Sequence, residues 1–351
     1  MPPKEEIFQL LTDVWQRQWL TNNGPLVNEL ELKIKEYLGV PHMLFLSNGT
    51  IALQIAIKAL GLKGEIITTP FSYVATTSSI LWEGCKPVFV DIDEQTLNIN
   101  PEQIEKAITA STSGILATHV FGNPCNIERI QQIADKHHLK VIYDAAHCFG
   151  TMYKGKSVFA YGDVSTASFH ATKLFHTVEG GAVFCNDPVF LKKMSFLRNF
   201  GHHGSDSFAE IGINAKNSEF HAAMGLVNLK YIHAILEHRK TLVQQYNGWL
   251  SREGIGRPSM QNGTQYNYAY YPVFFENEAT TLNVIRDMEG NWVNPRRYFY
   301  PSLNTIPIFN PNSCPVSESV AKRIVCLPLY HALTEADVDF ICRIILRTLN
   351  N

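Results

Sequence analysis

At 351 residues the chain exceeds the usual size of a single domain and is long enough to bury a sizeable core. Its 45% hydrophobic content is ordinary for a globular protein, and 30 basic against 32 acidic residues leave a formal charge of −2. That balance excludes a strongly basic nucleic-acid binder and gives no reason to expect attraction to an acidic membrane surface. Seven cysteines (Cys85, Cys125, Cys148, Cys185, Cys314, Cys326 and Cys342) are scattered, odd in number and without C-x-x-C spacing. They support neither a disulfide framework nor a structural zinc, so no metal is expected, and buried thiols in a reducing compartment are the simpler reading. Met1-Pro2-Pro3-Lys4-Glu5-Glu6 does not read as a signal peptide, and no apolar run is long enough to span a membrane. A cytoplasmic protein is expected.

In chain order, residues 4–18 read as a helix with Ile7, Leu10, Leu11, Val14 and Trp15 on one face. Thr21-Asn22-Asn23-Gly24-Pro25 breaks it, and residues 25–37 return to helix through Leu26, Leu30, Ile34 and Leu38. From residue 43 short apolar runs alternate with helical patterns. Strands are expected at 43–46, 65–69, 87–91, 114–119, 140–143, 164–168 and 182–185. Helices are expected at 51–60, 74–82, 101–109 and 126–138. Seven strands buried on both faces, with helices between them, predict an α/β fold around a mostly parallel sheet. A helix from Pro188 towards Phe200, capped by Asp187, follows. Ser218 is placed to cap the helix that begins near Phe220. Residues 228–250 read as one long helix linking a large domain, 1–240, to a small α+β domain, 241–351. There a strand at 270–275, a helix at 279–288, a short strand at Trp292-Val293 and a closing helix at 334–348 are expected.

Three stretches carry chemistry. Leu46-Ser47-Asn48-Gly49-Thr50 ends a strand and opens a helix, so its free N–H groups and positive dipole end can hold a phosphate. Val141-Ile142-Tyr143-Asp144 puts a carboxylate at the carboxyl end of a strand, where α/β sheets bind ligands. An aspartate there can keep a pyridinium nitrogen protonated. Ser168-Phe169-His170-Ala171-Thr172-Lys173 sets a lysine in a short loop between two apolar strands. Alone, Lys173 reads either as a surface lysine with its ammonium in water or as a buried, uncharged amine able to attack a carbonyl. The cradle and the aspartate, in chain order before it, favour the second. Gly201-His202-His203-Gly204 is a flexible loop whose paired histidines have no third metal ligand at suitable spacing. No run matches G-x-G-x-x-G.

With these motifs the chain resembles the DegT/DnrJ/EryC1/StrS family of pyridoxal-phosphate-dependent sugar aminotransferases. The likeness covers nearly the whole chain, from Trp19–Pro25 to Leu327-Pro328-Leu329 and Leu333-Thr334. It implies a fold-type I aminotransferase in which Lys173 forms a Schiff base with pyridoxal 5′-phosphate and Asp144 pairs with the ring nitrogen. It also implies that Tyr73, rather than Phe71, stacks on the ring, and that Gly49, Thr50 and Ser168 hold the phosphate. Asn214 would reach the phosphate of a neighbouring subunit, which requires a homodimer with shared sites. His147 stands where many relatives have glutamine. It would border the ring oxygen or the donor carboxylate, unless it is a satisfied histidine at a helix start. Thr21, Asn23, His202, His203 and Arg296 are implied near the substrate, though Thr21 and Asn23 also read as a plain turn, the histidines as a surface loop, and the adjacent Arg297 leaves the arginine register open. Ala215-Lys216-Asn217 departs from the family's common Tyr-Arg-Met, so contacts of that arginine are not carried over.

The resemblance implies transfer of the amino group of L-glutamate to a sugar ketone on a nucleoside diphosphate. Thr21–Pro25 and His170–Lys173 look most like the branch that aminates C4 of dTDP-4-keto-6-deoxyglucose, for surface polysaccharide such as O-antigen. Amination at C3 of a dTDP-3-keto-6-deoxyhexose, or of a UDP-linked sugar, are the alternatives. A dehydratase of this family would have histidine in place of Lys173, and a non-catalytic regulator would have lost Lys173 or Asp144. Both residues remain.

Overall fold

A computed structural model describes residues 2–252, 254–309 and 311–350. Seven strands form one sheet and are numbered here in chain order: β1 His42–Leu46, β2 Glu65–Thr68, β3 Lys86–Phe89, β4 Thr112–Thr118, β5 Lys140–Asp144, β6 Val164–Ser168 and β7 Gly181–Cys185. Their spatial order is β1-β7-β6-β5-β4-β2-β3. Only β7 runs antiparallel to its neighbours, wedged between β1 and β6. The expected mostly parallel sheet of seven strands is therefore present.

Successive strand residues point to opposite faces, and the core divides accordingly. Phe45, Ile67, Ile115, Val141, Tyr143, Ala182 and Phe184 join one cluster, together with Leu26, Leu30, Ile34, Ile130, Ile133 and Leu226 from helices. Leu44, Leu46, Ile66, Leu116, Ile142 and Val183 join the other, with Leu53, Ile57, Met194 and Leu197. Helices thus cover both faces. Among them are Pro25–Leu38, Ile127–His137 and Glu219–Lys230 on one side, and Gly49–Leu60 and Pro188–Arg198 on the other. The helix starts are marked as expected. The Asp187 side chain accepts from the Val189 N–H and Ser218 from the His221 N–H.

The C-terminal part pairs strands Tyr271–Phe274 and Ile324–Leu327 antiparallel. Helices Ile232–Leu250, Glu278–Gly290 and Glu335–Leu349 cover them with their own cluster, including Leu242, Tyr246, Val284, Val325 and Ile345. Thr334 and Asp337 close the last helix with a reciprocal capping box.

Three expectations are corrected. The helix expected at 228–250 is interrupted at Tyr231. Asn228 and Lys230 belong to the preceding helix, and a new one starts at Ile232. Trp292-Val293 is no strand: Trp292 has positive φ and is 93% exposed, and the backbone pairs only further on, in an isolated bridge of Arg296 with Cys326. Trp15 leaves the apolar face assigned to it. It is 71% exposed, whereas the neighbouring Val14 is fully buried.

Candidate active site

A cavity of about 310 Å³ opens where the strands end. Its walls include Asn48, Gly49 and Thr50 from the start of the Gly49–Leu60 helix, Ser72 and Tyr73 after β2, Thr118 from β4, Asp144 and His147 from β5 and the following turn, and Ser168, His170 and Lys173 from β6 and its loop. Parallel neighbours β4, β5 and β6 bring residues distant in sequence to one edge, the ligand side of α/β sheets.

Groups able to hold a phosphate stand at one end. Asn48 caps the helix by accepting from the Ile51 N–H, which leaves the first-turn N–H groups of Gly49 and Thr50 without an intrahelical acceptor. A Cβ on Gly49 would stand 2.9 Å from Ser168 Cβ, so this close approach of helix to strand end requires glycine.

At the centre, Asp144 is buried. Its Oδ2 accepts from Thr76 Oγ1 at 2.7 Å and its Oδ1 from the Ala146 N–H at 3.2 Å. Burial raises its pKa, opposed by those two hydrogen bonds and the charge of Lys173. Lys173 Nζ lies 3.4 Å from Tyr270 Oη. Burial lowers the lysine pKa from 10.5 to about 8, with Asp144 pulling the other way. The lowered pKa makes the free, nucleophilic amine far more accessible near neutral pH than in an ordinary lysine.

His147 is held neutral by burial, its pKa well below the usual value. Its Nδ1 accepts from the Phe121 N–H at 3.1 Å, so the ring proton sits on Nε2 and makes that nitrogen a donor. The ring lies between Tyr270, at 4.5 Å, and Phe299, at 5.7 Å.

The two pairs of rival residues lie in different surroundings. Tyr73 lines the cavity and is half exposed, whereas Phe71 is fully buried edge-on to Phe121 and Phe299. Arg296 lines the cavity. Arg297 turns away to Glu278, the Lys322 carbonyl and the face of Tyr300.

Lys173, Asp144, Tyr73, Gly49, Thr50, Ser168, His147 and Arg296 are thus brought together, and five other expected residues are not. Thr21 and Asn23 sit in the turn before the Pro25–Leu38 helix, outside the cavity wall. The buried Glu219 carboxylate caps that helix by accepting from the Leu26 and Val27 N–H groups, and a Cβ on Gly24 would collide with it. His202 and His203 lie in the bend after Asn199, packed against Phe208 and Phe196, also outside the wall. Among the described residues no group of three His, Cys, Asp or Glu could hold a metal ion. Asn214 is exposed, bonded to Lys216 Nζ at 2.8 Å, and does not enter the cavity of its own chain.

Sequence reading missed Ser72, Thr76, Thr118 and Tyr270. The hydroxyls of the first three form a chain to Asp144, and Tyr270 meets Lys173. Tyr270 is pinned through its neighbours. Tyr266 Oη lies 2.8 Å from the Tyr270 carbonyl, and Asn267 donates to the His147 and Phe149 carbonyls.

A mostly parallel seven-stranded sheet, a smaller α+β part and a lysine facing a carboxylate beside a helix N-terminus define the class: a fold-type I aminotransferase. The pattern of the DegT/DnrJ/EryC1/StrS aminotransferase family matches residues 3–346. A dTDP-4-amino-4,6-dideoxy-D-glucose transaminase of Shigella dysenteriae is 41% identical, over 97% of this chain and 95% of its own. One of Escherichia coli is 39% identical over 99% and 96%. The solved structure of DesI in the presence of its TDP-sugar product superposes with a TM-score of 0.94 at 31% identity, covering 99% of this chain and 91% of that one. The chain belongs to the DegT/DnrJ/EryC1/StrS aminotransferase family.

Proposed function

We propose that the protein transfers the amino group of L-glutamate to C4 of dTDP-4-keto-6-deoxy-D-glucose, giving dTDP-4-amino-4,6-dideoxy-D-glucose for surface polysaccharide such as O-antigen. The observation that carries the chemistry is Lys173, its pKa depressed by burial, sharing one cavity with the buried Asp144 and the helix N-terminus at Gly49. The names of the two transaminases supply the substrate.

The residues present fit pyridoxal 5′-phosphate: free N–H groups at Gly49 and Thr50, closed in by Ser168, suit its phosphate, and the buried Asp144 suits its ring nitrogen. When bound, that cofactor supplies the electron sink for amino transfer. Asp144 then holds the ring nitrogen protonated. Lys173 Nζ binds the cofactor through its amine and, when free, takes the proton from Cα of the amino donor. Tyr73, on the cavity wall, covers a face of the ring. His147 Nε2–H donates to a cofactor oxygen or the donor carboxylate. Arg296 offers a cation at the rim for an anionic substrate group.

The active form we infer is a homodimer. Asn214 is exposed and takes no part in the wall of its own cavity, as expected of a residue that reaches the phosphate in the partner's site. Thr21, Asn23, His202 and His203, outside the cavity wall of their own chain, belong in this reading to substrate bound near that interface. We place the domain boundary near residue 240. Ile232, Ile235 and Leu236 pack with the large-sheet core, while Leu242, Val243 and Tyr246 on the same helix pack with the small one. Seven free, buried cysteines support a reducing, cytoplasmic setting, and no described helix is long and apolar enough to cross a membrane.

The test is a coupled assay with pyridoxal phosphate and L-glutamate. The dTDP-4-keto and dTDP-3-keto-6-deoxy sugars are supplied separately, and the aminated carbon is identified by NMR. Amination at C4 is expected. Turnover of the 3-keto sugar alone overturns the substrate and keeps the chemistry.

A further inference from the structure

The carboxylate of Asp144 is approached by a line of three buried hydroxyls. Thr118 Oγ1 lies 3.0 Å from Ser72 Oγ, Ser72 Oγ lies 2.7 Å from Thr76 Oγ1, and Thr76 Oγ1 lies 2.7 Å from Asp144 Oδ2. The three residues are 3%, 2% and 0% exposed, and Ser72 and Thr118 also form part of the cavity wall. Their placement follows from the fold. Thr118 and Asp144 are paired neighbours at the ends of β4 and β5, and Ser72 and Thr76 straddle the start of the Val74–Trp82 helix.

Each hydroxyl has one proton, and an ionised carboxylate only accepts. Thr76 must therefore donate to Asp144. Thr76 then accepts from Ser72, and Ser72 from Thr118. All three protons point towards the carboxylate, and each bond polarises the next. A protonated Oδ2 would reverse the line. Thr118 would then have to donate outward, and its hydroxyl has no second partner among the described residues.

We propose that Thr76, backed by Ser72 and Thr118, is a positioning residue that keeps Asp144 ionised and aimed at the ring nitrogen of the cofactor. The proposal rests on reading the cavity as a pyridoxal phosphate site. A Thr76 that merely packs would support all parts of the cofactor alike. A Thr76 that acts through Asp144 matters only to a ligand with a ring nitrogen to protonate.

That difference gives the test. Affinities of the wild type and of Thr76→Val, Thr76→Ser and Ser72→Ala are measured for pyridoxal phosphate and for its analogue with carbon in place of the ring nitrogen. Lys173 is retained throughout, because its charge also acts on Asp144. Thr76→Val should weaken pyridoxal phosphate by about tenfold or more, as expected for a lost hydrogen bond to a charged group, and leave the analogue unchanged. Thr76→Ser should restore the difference between the two ligands, and Ser72→Ala should show a smaller loss of the same kind. If Thr76→Val does not fold, Ser72→Ala decides alone. Equal losses for both ligands, or no loss for either, overturn the proposal. A wild type that binds neither ligand overturns the cofactor reading itself, an outcome visible before any variant is made.

Discussion

Two regions that the sequence marks for the same reaction are built in opposite ways. Around Lys173 and Asp144 the functional groups stand on strand ends and a helix start, backed by fully buried neighbours such as Tyr143, Phe169 and Thr166. Between Asn199 and Lys216 they stand on an irregular stretch held by isolated bridges, Asn199 with Asn214 and His202 with Phe208. That stretch exposes 65% of Phe208 and 87% of Ile211. In the first region both Asp144 oxygens are bonded inside one chain, although the buried Tyr143 hydroxyl has no partner among the described residues. The second spends Asn214 on Lys216, whose ammonium also lies over the ring of Phe200, and presents apolar side chains to solvent. On the proposed reading, the groups around Lys173, Asp144 and Gly49 share one cavity within one chain, whereas Asn214 and the histidines of the second region are of use only to a second copy. A second copy laid against the exposed stretch would cover its apolar residues and put Asn214 to use.

The largest effect tests the first region alone. Lys173→Ala should lower transamination by at least about 10³-fold, because the proposed function makes one amine both proton carrier and covalent anchor of the cofactor. It should also remove the absorbance band of the lysine-bound cofactor. A variant that keeps either would mean that the chemistry does not run through this lysine.

A smaller effect tests the second region. Asn214→Ala should lose about tenfold in activity, the scale of one hydrogen bond to a charged group. If Asn214 serves the partner, a mixture of unfolded and refolded Lys173→Ala and Asn214→Ala chains should recover about a quarter of wild-type activity, since half of randomly formed dimers carry one intact site. Activity equal to the mean of the two parents would place Asn214 in its own chain's site, or in neither, and dissolve the contrast.

The two regions also differ in how far sequence could describe them. Lys173, Asp144 and Gly49 were legible because a strand end followed by a turn is a local pattern. The alternation of Leu44, Phe45 and Leu46 between two cores follows from the pleat itself. Ser72, Thr118 and Tyr270 were not legible as site residues. Ser72 and Thr118 are 46 residues apart, Lys173 and Tyr270 are 97 apart, and only the folded packing says that they touch. Local patterns also misled. The apolar period runs through Tyr231 although the helix breaks there, and Trp292-Val293 looks β-forming but has no strand beside it. The side chains of Thr21, Asn23 and His203 have no contact with the cavity, so their assignment still rests on likeness.

The smallest effect measures how completely the first region is closed. Burial lowers the Lys173 pKa from 10.5 to about 8 in the folded chain. Between those values the unfolded chain holds a proton that the folded one has released, so stability rises with pH across that window. Below about 8 both states are charged, and the folded state carries the full cost of enclosing the ammonium. Replacing the amine with an apolar chain of similar length should remove that cost. Lys173→Met, studied without cofactor, should therefore be more stable than wild type by roughly 1–2 kcal/mol at pH 7. The gain is kept modest because Asp144 loses a neighbouring positive charge. Urea unfolding at pH 7 and pH 10 would read it, and the advantage should shrink at the higher pH. A Met variant no more stable than wild type at pH 7 would mean that water reaches the amine in a lone chain. The lysine would then need the second copy as much as Asn214 does, and the two regions would differ only in degree.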